Sequence, residues 1–302
     1  MGTLQVLDEE HRLHLTVCSD LHGSTSQLAL LADHARSEGR SVISAGDYLR
    51  AYVADDLSDH EERVEEAVGQ LDILAGLGAY AIPGNHDHPS VYQEALTRTA
   101  DGLREIHQVT DVIGDGFTVV GWGGMEHSDP IFENFKMGHY YAPDHIVKGM
   151  EGLLAGVDDH TDCVLVTHQP VRGYLSKGHE GQELGSEAMR EVYDANPDIG
   201  LVISGHSHQA GYSSDKAIDF VARARYKELT PDPDALRVYQ MDGYDSAHPK
   251  KVVIEYDKDQ YDLTCFLNPG SLGHPHSFSD CLDVDVYESG GVRRIEVTFV
   301  EL

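Results

Sequence analysis

Basic residues are scarce in this chain: 22 Lys and Arg stand against 52 Asp and Glu, a formal net charge of −30. No broad basic face exists to displace counterions, which argues against stable binding of a nucleic-acid backbone. So large a self-repulsion is tolerable where salt screens it, because the Debye length shrinks to roughly 3 Å at 1 M. The expectation is a halophilic host with a salty cytoplasm. Thermal melts at low and at molar KCl check it: the melting temperature is expected to rise with salt, and equal stability in both would sink the idea.

Cysteine is also sparse. Cys18, Cys163, Cys265 and Cys281 show no C-x-x-C spacing, which offers no thiolate zinc site. They read as buried, reduced thiols of a cytoplasmic protein. No apolar run approaches 18 residues, and "MGTLQVLDEEHR" has neither a basic start nor an apolar core, so neither a membrane span nor an export signal is expected. The one tryptophan, Trp122 in "GWGG", reads as core. Repeats, low-complexity tracts and linkers are absent, and 302 residues with 40% hydrophobic content suffice for one large α/β domain spanning 1–302.

The first two thirds alternate strand and helix. "RLHLTVCSD" predicts a strand, and "QLALLADHARSE" a helix capped by Ser24 or Ser26 and closed at Gly39. "SVISAGD" is a second strand, "HEERVEEAVGQLDILAGL" a helix closed by Gly78, and "AYAIPGN" a third strand. After the helix "SVYQEALTRTADGL" come strands at "FTVVGWGG" and "DCVLVTHQP", with a helix near 143–155 between them. The helix "GSEAMREVYDANP" and the strand "IGLVISGHSH" follow. Residues 212–262 are acidic and poorly periodic, with one strand at "KKVVIEY". "DLTCFLNPGS" reads as strand and turn, and the end as a hairpin through Ser289, Gly290 and Gly291.

Five of these strands end in metal-type ligands. They deliver Asp20 and His22, then Asp47, then "GNHD" at Asn85, His86 and Asp87, then His168, then His206 and His208. Any one string is ordinary in a turn, but five in order at strand ends predict convergence in the crevice beyond the carboxyl ends of a sheet. In extended backbone, residues i and i+2 point the same way, so Asp20 with His22, and His206 with His208, are each expected to address one cleft. Gly46, Gly84 and Gly205 each precede a ligand, where a missing Cβ permits close approach.

The series D-x-H, G-D, G-N-H-D, H and G-H-x-H from Asp20 to His208 resembles the calcineurin-like metallophosphoesterase superfamily. The "GHSHQAG" and "FLNPGS" segments look like its small prokaryotic and archaeal branch. The resemblance implies a four-layer αββα sandwich of two mixed sheets, metallo-dependent phosphatase-like. It also implies two divalent metal ions, one held by Asp20, His22, Asp47 and His208, the other by Asp47, Asn85, His168 and His206. Two such ions about 3.5–4 Å apart repel, which a shared carboxylate such as Asp47 relieves. Carboxylate, imidazole and amide ligands without thiolate suit Mn, Fe, Zn or Co.

The implied chemistry is in-line attack on phosphorus by a hydroxide held between the ions, with His86 assisting the leaving group and Asp87 orienting its imidazole. The expected substrate is a small phosphodiester such as a cyclic nucleotide. Two other readings stay open: a nuclease of the double-strand-break repair type, and a metal-binding scaffold without turnover. His88 reads as exposed, and His274 and His276 as a solvated loop. The 60 positions from His208 to Asn268 exceed what the resemblance leads one to expect, so 212–262 reads as an insertion: a lid over the metals, a strand-bearing arm for a homo-oligomer or an acidic surface loop, with an interaction or lid role favoured.

Overall fold

The computed structural model describes residues 10–50, 59–127, 139–178, 181–208, 221–226, 236–241, 251–258, 261–273 and 281–302. The elements begin β1 (Glu10–Cys18), α1 (Thr25–Glu38), β2 (Ser41–Ser44), α2 (His60–Ala75), β3 (Tyr80–Ala81), α3 (Pro89–Arg98) and β4 (Arg104–Glu105). They continue with β5 (Thr110–Ile113), β6 (Phe117–Trp122), β7 (Met125–Glu126), β8 (Tyr140–Tyr141), α4 (Pro143–Leu154), β9 (Cys163–Thr167), α5 (Glu187–Ala195) and β10 (Leu201–Ser204). The last six are β11 (Val221–Tyr226), β12 (Leu236–Met241), β13 (Lys251–Asp257), β14 (Tyr261–Leu267), β15 (Cys281–Ser289) and β16 (Val292–Val300).

Two mixed sheets carry the architecture. One has eight strands in the order β12-β13-β16-β15-β1-β2-β3-β4, and the other six in the order β11-β14-β10-β9-β6-β5. Strands β1, β2 and β3 are parallel neighbours in the first, and β9 and β10 in the second. Their nearly continuous apolar sequences suit strands covered on both faces. Leu15, Val17 and Ile43 meet Val164, Val166 and Ile203 between the sheets. Outside the first sheet, Leu28, Leu31, Leu71 and Leu74 of α1 and α2 pack on Val42 and Ala81. Outside the second, Ile146, Met150, Met189 and Val192 of α4 and α5 pack on Leu165 and Val202. Three apolar layers thus separate four structural ones, in the expected αββα order.

Local chemistry accounts for most boundaries. Gly39, left-handed at φ 68°, ends α1, and Ser186 caps α5 by accepting the Met189 amide at 2.9 Å. Ser24 occupies the N-cap of α1 without a side-chain bond, and α2 stops at Ala75, before Gly78 reverses the chain at φ 63°. His88 is more than exposed surface: its ring accepts the Ser90 amide and so caps α3. The C-terminal hairpin pairs Ser289 with Val292 around Gly290 and Gly291, both at positive φ.

The segment expected to be an insertion is partly woven into the sandwich. Strand β11 pairs with β14 at the edge of the six-stranded sheet, while β12 and β13 extend the eight-stranded sheet beyond β16. Of its described strands, β11 and β12 lie at sheet edges and β13 one strand further in, and the rest of 212–262 lies outside the described residues, as do His274 and His276. All four cysteines are buried and outside any disulfide, and burial pushes the Cys18 and Cys163 thiols up to about 12. Trp122 is core, 2% exposed.

Candidate metal centre

Strands β1, β2 and β3 end at Cys18, Ser44 and Ala81, and β9 and β10 at Thr167 and Ser204, so the motif residues sit just past the carboxyl ends of five parallel strands. Extended backbone, expected at the D-x-H and H-x-H pairs, does not form there. Asp20, His22, Asp47, His206 and His208 all adopt left-handed backbone, φ 45–65°, and the described residues include only two other non-glycine positions with positive φ, Gln108 and Leu175. Such turns cost of order 1–3 kcal/mol each and persist where surrounding structure over-determines them. Here a run of backbone bonds does so: Asp20 N–H donates to Gly46 O at 2.8 Å and His22 N–H to Asp47 O at 2.9 Å.

The side chains converge. His208 Nε2 lies 3.0 Å from Asp20 Oδ1 and 3.1 Å from His22 Nε2. His168 Nε2 lies 2.9 Å from Asn85 Oδ1 and 3.4 Å from Asp47 Oδ2. Asp47 Oδ2 also lies 4.0 Å from His22 Nε2, so this one oxygen stands between the two groups. His206 stacks edge-on against His168 with ring centroids 5.3 Å apart. The first sheet supplies Asp20, His22, Asp47 and Asn85, and the second supplies His168, His206 and His208.

The donor atoms fit divalent ions. His168 Nδ1–H donates to Ala45 O at 2.7 Å and His22 Nδ1–H to Leu49 O at 3.1 Å, which turns each Nε2 inward as a ligand atom. His22 and His208 then face each other Nε2 to Nε2, an arrangement that only a shared proton or a cation reconciles. Asp47 Oδ2 and His206 Nε2 are buried with no hydrogen-bond partner among the described residues. Ligand bonds of roughly 2.0–2.2 Å place neighbouring donors about 3.0–3.4 Å apart, close to the spacing of His208 from Asp20 and His22 and of His168 from Asn85 and Asp47. Asp20, His22, Asp47 and His208 keep their ligand atoms within 4.8 Å of one another. A second grouping, His11, His14 and Asp285, lies at the amino-terminal end of β1, where Arg40 already pairs with Asp285 at 3.0 Å.

Electrostatics follow the same division. Burial alone would raise the Asp47 carboxyl, but the charges of His168, His86 and His22 hold it far below the ordinary carboxylate range. Burial opposes the charge on His168, yet Asp47 and Asp20 push it up to about 9, so without metal its inward Nε2 carries a proton. Burial, together with His168, pushes His206 down to about 4, leaving its lone pair free for a ligand bond.

His86 stands at the open side. Its backbone N–H donates to Asp47 Oδ1 at 2.8 Å, while its ring, about a third exposed, lies 3.9 Å from Asp47 Oδ2. Asp87 corrects another expectation, since its carboxylate does not orient His86. Oδ1 accepts the Tyr48 and Leu49 amides at 2.9 and 3.0 Å, and Oδ2 accepts those of Asp47 and Gly84 at 3.0 and 2.7 Å. Asp87 thus fastens the Asp47 turn to the "GNHD" turn. Space enforces the same contact, because a Cβ on Gly84 would collide with the Asp47 carboxylate and amide. Gly84→Ala is expected to cost about 1–3 kcal/mol of stability, as overpacking does, and to weaken metal retention; thermal melts with metal analysis of the purified protein check it.

Two contributions escaped the sequence. Asn268 Nδ2 donates to Gly205 O and Ser207 Oγ, both at 2.9 Å, and the Ser271 hydroxyl donates to Asp20 O at 2.8 Å. The "NPGS" turn therefore clamps the ligand turns of both sheets, and its sequence signal was visible without a role. Tyr140 gave no signal, yet its hydroxyl hydrogen-bonds Asn85.

The sequence profile of the calcineurin-like phosphoesterases matches residues 13–210, from within β1 to two residues beyond His208. This chain belongs to the calcineurin-like phosphoesterase family. The phosphoesterase fold is shared by a solved crystal structure that covers 97% of this chain and 100% of its own at 13% identity, TM-score 0.62. TT1561 of Thermus thermophilus is similar over 64% of this chain and 81% of its own, at 15% identity and TM-score 0.49. A novel archaeal phosphodiesterase covers 94% and 99% at 13% identity and TM-score 0.32. The first bears on fold alone, and the two weaker superpositions carry no argument. No functionally curated protein matches the phosphoesterase in sequence. Membership implies a binuclear divalent metal centre, and among the described residues no helix of this phosphoesterase is long and apolar enough to cross a membrane.

Proposed function

We propose that this phosphoesterase hydrolyses small phosphodiesters, with two divalent ions held by Asp20, His22, Asp47 and His208 on one side and by Asp47, Asn85, His168 and His206 on the other. The observation that carries the reading is the meeting of inward Nε2 atoms around the buried Asp47 Oδ2, which accepts no hydrogen bond among the described residues. When bound, such ions supply Lewis acidity toward the phosphoryl oxygens and an activated water. Mn, Fe, Zn and Co suit the donor set.

The chain's own residues do the rest. Asn85 contributes a neutral oxygen, limiting the negative charge on its side of the centre. The His86 ring, at the open side and not fixed by Asp87, is placed to give a proton to the departing ester oxygen as the P–O bond breaks. Asp87, Asn268 and Ser271 position the turns and touch no reacting atom. A net charge of −30 disfavours a dianionic monoester more than a monoanionic diester, supporting the diester preference. On this reading residues 1–302 work as one metallophosphoesterase domain.

The test is hydrolysis of bis-p-nitrophenyl phosphate and p-nitrophenyl phosphate by metal-stripped protein in high salt, with Mn, Zn, Co, Fe or Mg restored singly. Diester turnover that returns with one of the first four and exceeds monoester turnover is the expected result. Metal bound without turnover of either ester would replace the enzyme reading with a binding role.

A further inference from the structure

We propose, resting on the diesterase reading, that a cavity beside the metal centre is the subsite for the organic group of the substrate and receives a planar, uncharged nitrogen heterocycle of the nucleobase type. The cavity, about 550 Å³, lies within the range of small-molecule sites and is lined by Ser90, Tyr92, Gln93, Glu105, His107 and His139 among others. Glu105 closes β4, the strand next to β3 and parallel to it, so the cavity opens at the same carboxyl-end edge as the metal motifs, one strand further along.

The cavity wall is tied to the metal turns. His139 Nδ1–H donates to the Asp87 carbonyl at 2.7 Å, and the next residue, Tyr140, bonds Asn85. Ser90 Oγ lies 2.8 Å from the ring of His88, two positions after His86. The cavity wall is thus in direct hydrogen-bonded contact with the loop that carries Asn85 and His86.

The lining suits a flat polar ring. The His139 ring stands edge-on to Tyr92 and to His107, each at 5.7 Å between centroids, giving aromatic surfaces on several sides. Hydrogen-bonding atoms are set among them. Tyr92 is 3% exposed and its hydroxyl has no hydrogen-bond partner among the described residues, a buried polar atom that a ligand would satisfy. With Nδ1–H committed to Asp87, His139 keeps Nε2 as an acceptor, and Gln93 adds an amide with both donor and acceptor. Glu105 Oε1 accepts the His107 amide at 3.1 Å, and burial pushes its carboxyl up to about 7, so near neutrality it serves as donor as well as acceptor.

Charge decides the class of occupant. His107 accepts the Gly123 amide at Nδ1, 2.9 Å, and donates Nε2–H to the Tyr141 hydroxyl, 2.8 Å, which fixes a neutral ring. The lining residues named here offer no cation, so a second phosphate is disfavoured and an uncharged heterocycle with mixed donors and acceptors along its edge is matched.

Two esters with the same leaving group test this: thymidine 5′-(p-nitrophenyl phosphate) and methyl p-nitrophenyl phosphate, with the adenosine ester as a second base. The nucleoside esters are expected to be cleaved with kcat/KM at least about tenfold higher, the scale of one or two buried hydrogen bonds. Glu105→Ala and, separately, Gln93→Ala should remove that advantage through KM and leave methyl-ester turnover unchanged. Free adenosine and thymidine should quench Trp122, whose ring lies 6.0 Å from His107, and should do so less in either variant. Equal rates on nucleoside and methyl esters, with no quenching, overturn the subsite and leave the diesterase reading standing. No turnover of any ester overturns the diesterase reading, and quenching that persists then shows that the cavity binds the base independently.

Discussion

Asp47→Ala is expected to abolish hydrolysis, with kcat falling by more than about 10³, and to leave the protein unable to hold two metal ions at once. The size of the effect follows from the single oxygen, Oδ2, that lies within 4.0 Å of both His22 and His168 and has no hydrogen-bond partner among the described residues. Alanine also strips the counter-charge that raises His168, so the inward ring loses its proton and the cluster its anchor. Asp47→Asn preserves volume and serves as the control for folding. Metal content by elemental analysis, with circular dichroism for fold, decides the matter: a variant that keeps both metals and works within tenfold of the parent would end the bridging assignment.

His86→Ala is expected to lower kcat by roughly 10²- to 10⁴-fold on an alkyl diester, and far less on bis-p-nitrophenyl phosphate. An alkoxide leaves poorly without a proton, whereas nitrophenolate leaves unaided, so the leaving-group dependence separates proton donation from mere packing. Metal content should not change, because Asp47 Oδ1 is held by the His86 backbone amide, which alanine retains. Equal losses on both esters would reassign His86 to structure.

Much of this was legible in the amino acids. Apolar runs ending in Asp20, Asp47, Asn85, His168 and His206 marked strands whose carboxyl ends carry these side chains, since a strand covered on both faces declares itself by composition. What stayed hidden was set by distant partners. Strands β4, β7 and β8 have two residues each, too few for a period to register. Strands β11 and β12 are sheet edges, where burial imposes less pattern. The left-handed backbone at Asp20, His22, Asp47, His206 and His208 contradicts local preference and exists because neighbouring turns bond to it. The role of Asp87 was hidden for the same reason, since its four amide donors come from residues as far away as Asp47. Tyr140 needed the fold to bring it to Asn85.

The proposed ligands come from two sheets that are otherwise joined chiefly by an apolar interface, four from one and three from the other. Any ion shared between Asp20 or Asp47 and the histidines at 168, 206 and 208 would therefore act as a rivet through both layers, at the carboxyl-end rim of the hydrophobic contacts that hold the rest together. A chelator would remove a cross-link as well as a catalyst, and buried carboxylates and imidazole lone pairs would be left without their cation in a chain already repelling itself at −30. Resistance to heat and to low salt should accordingly track the free metal concentration, rising by RT ln(1 + [metal]/Kd) for each ion retained.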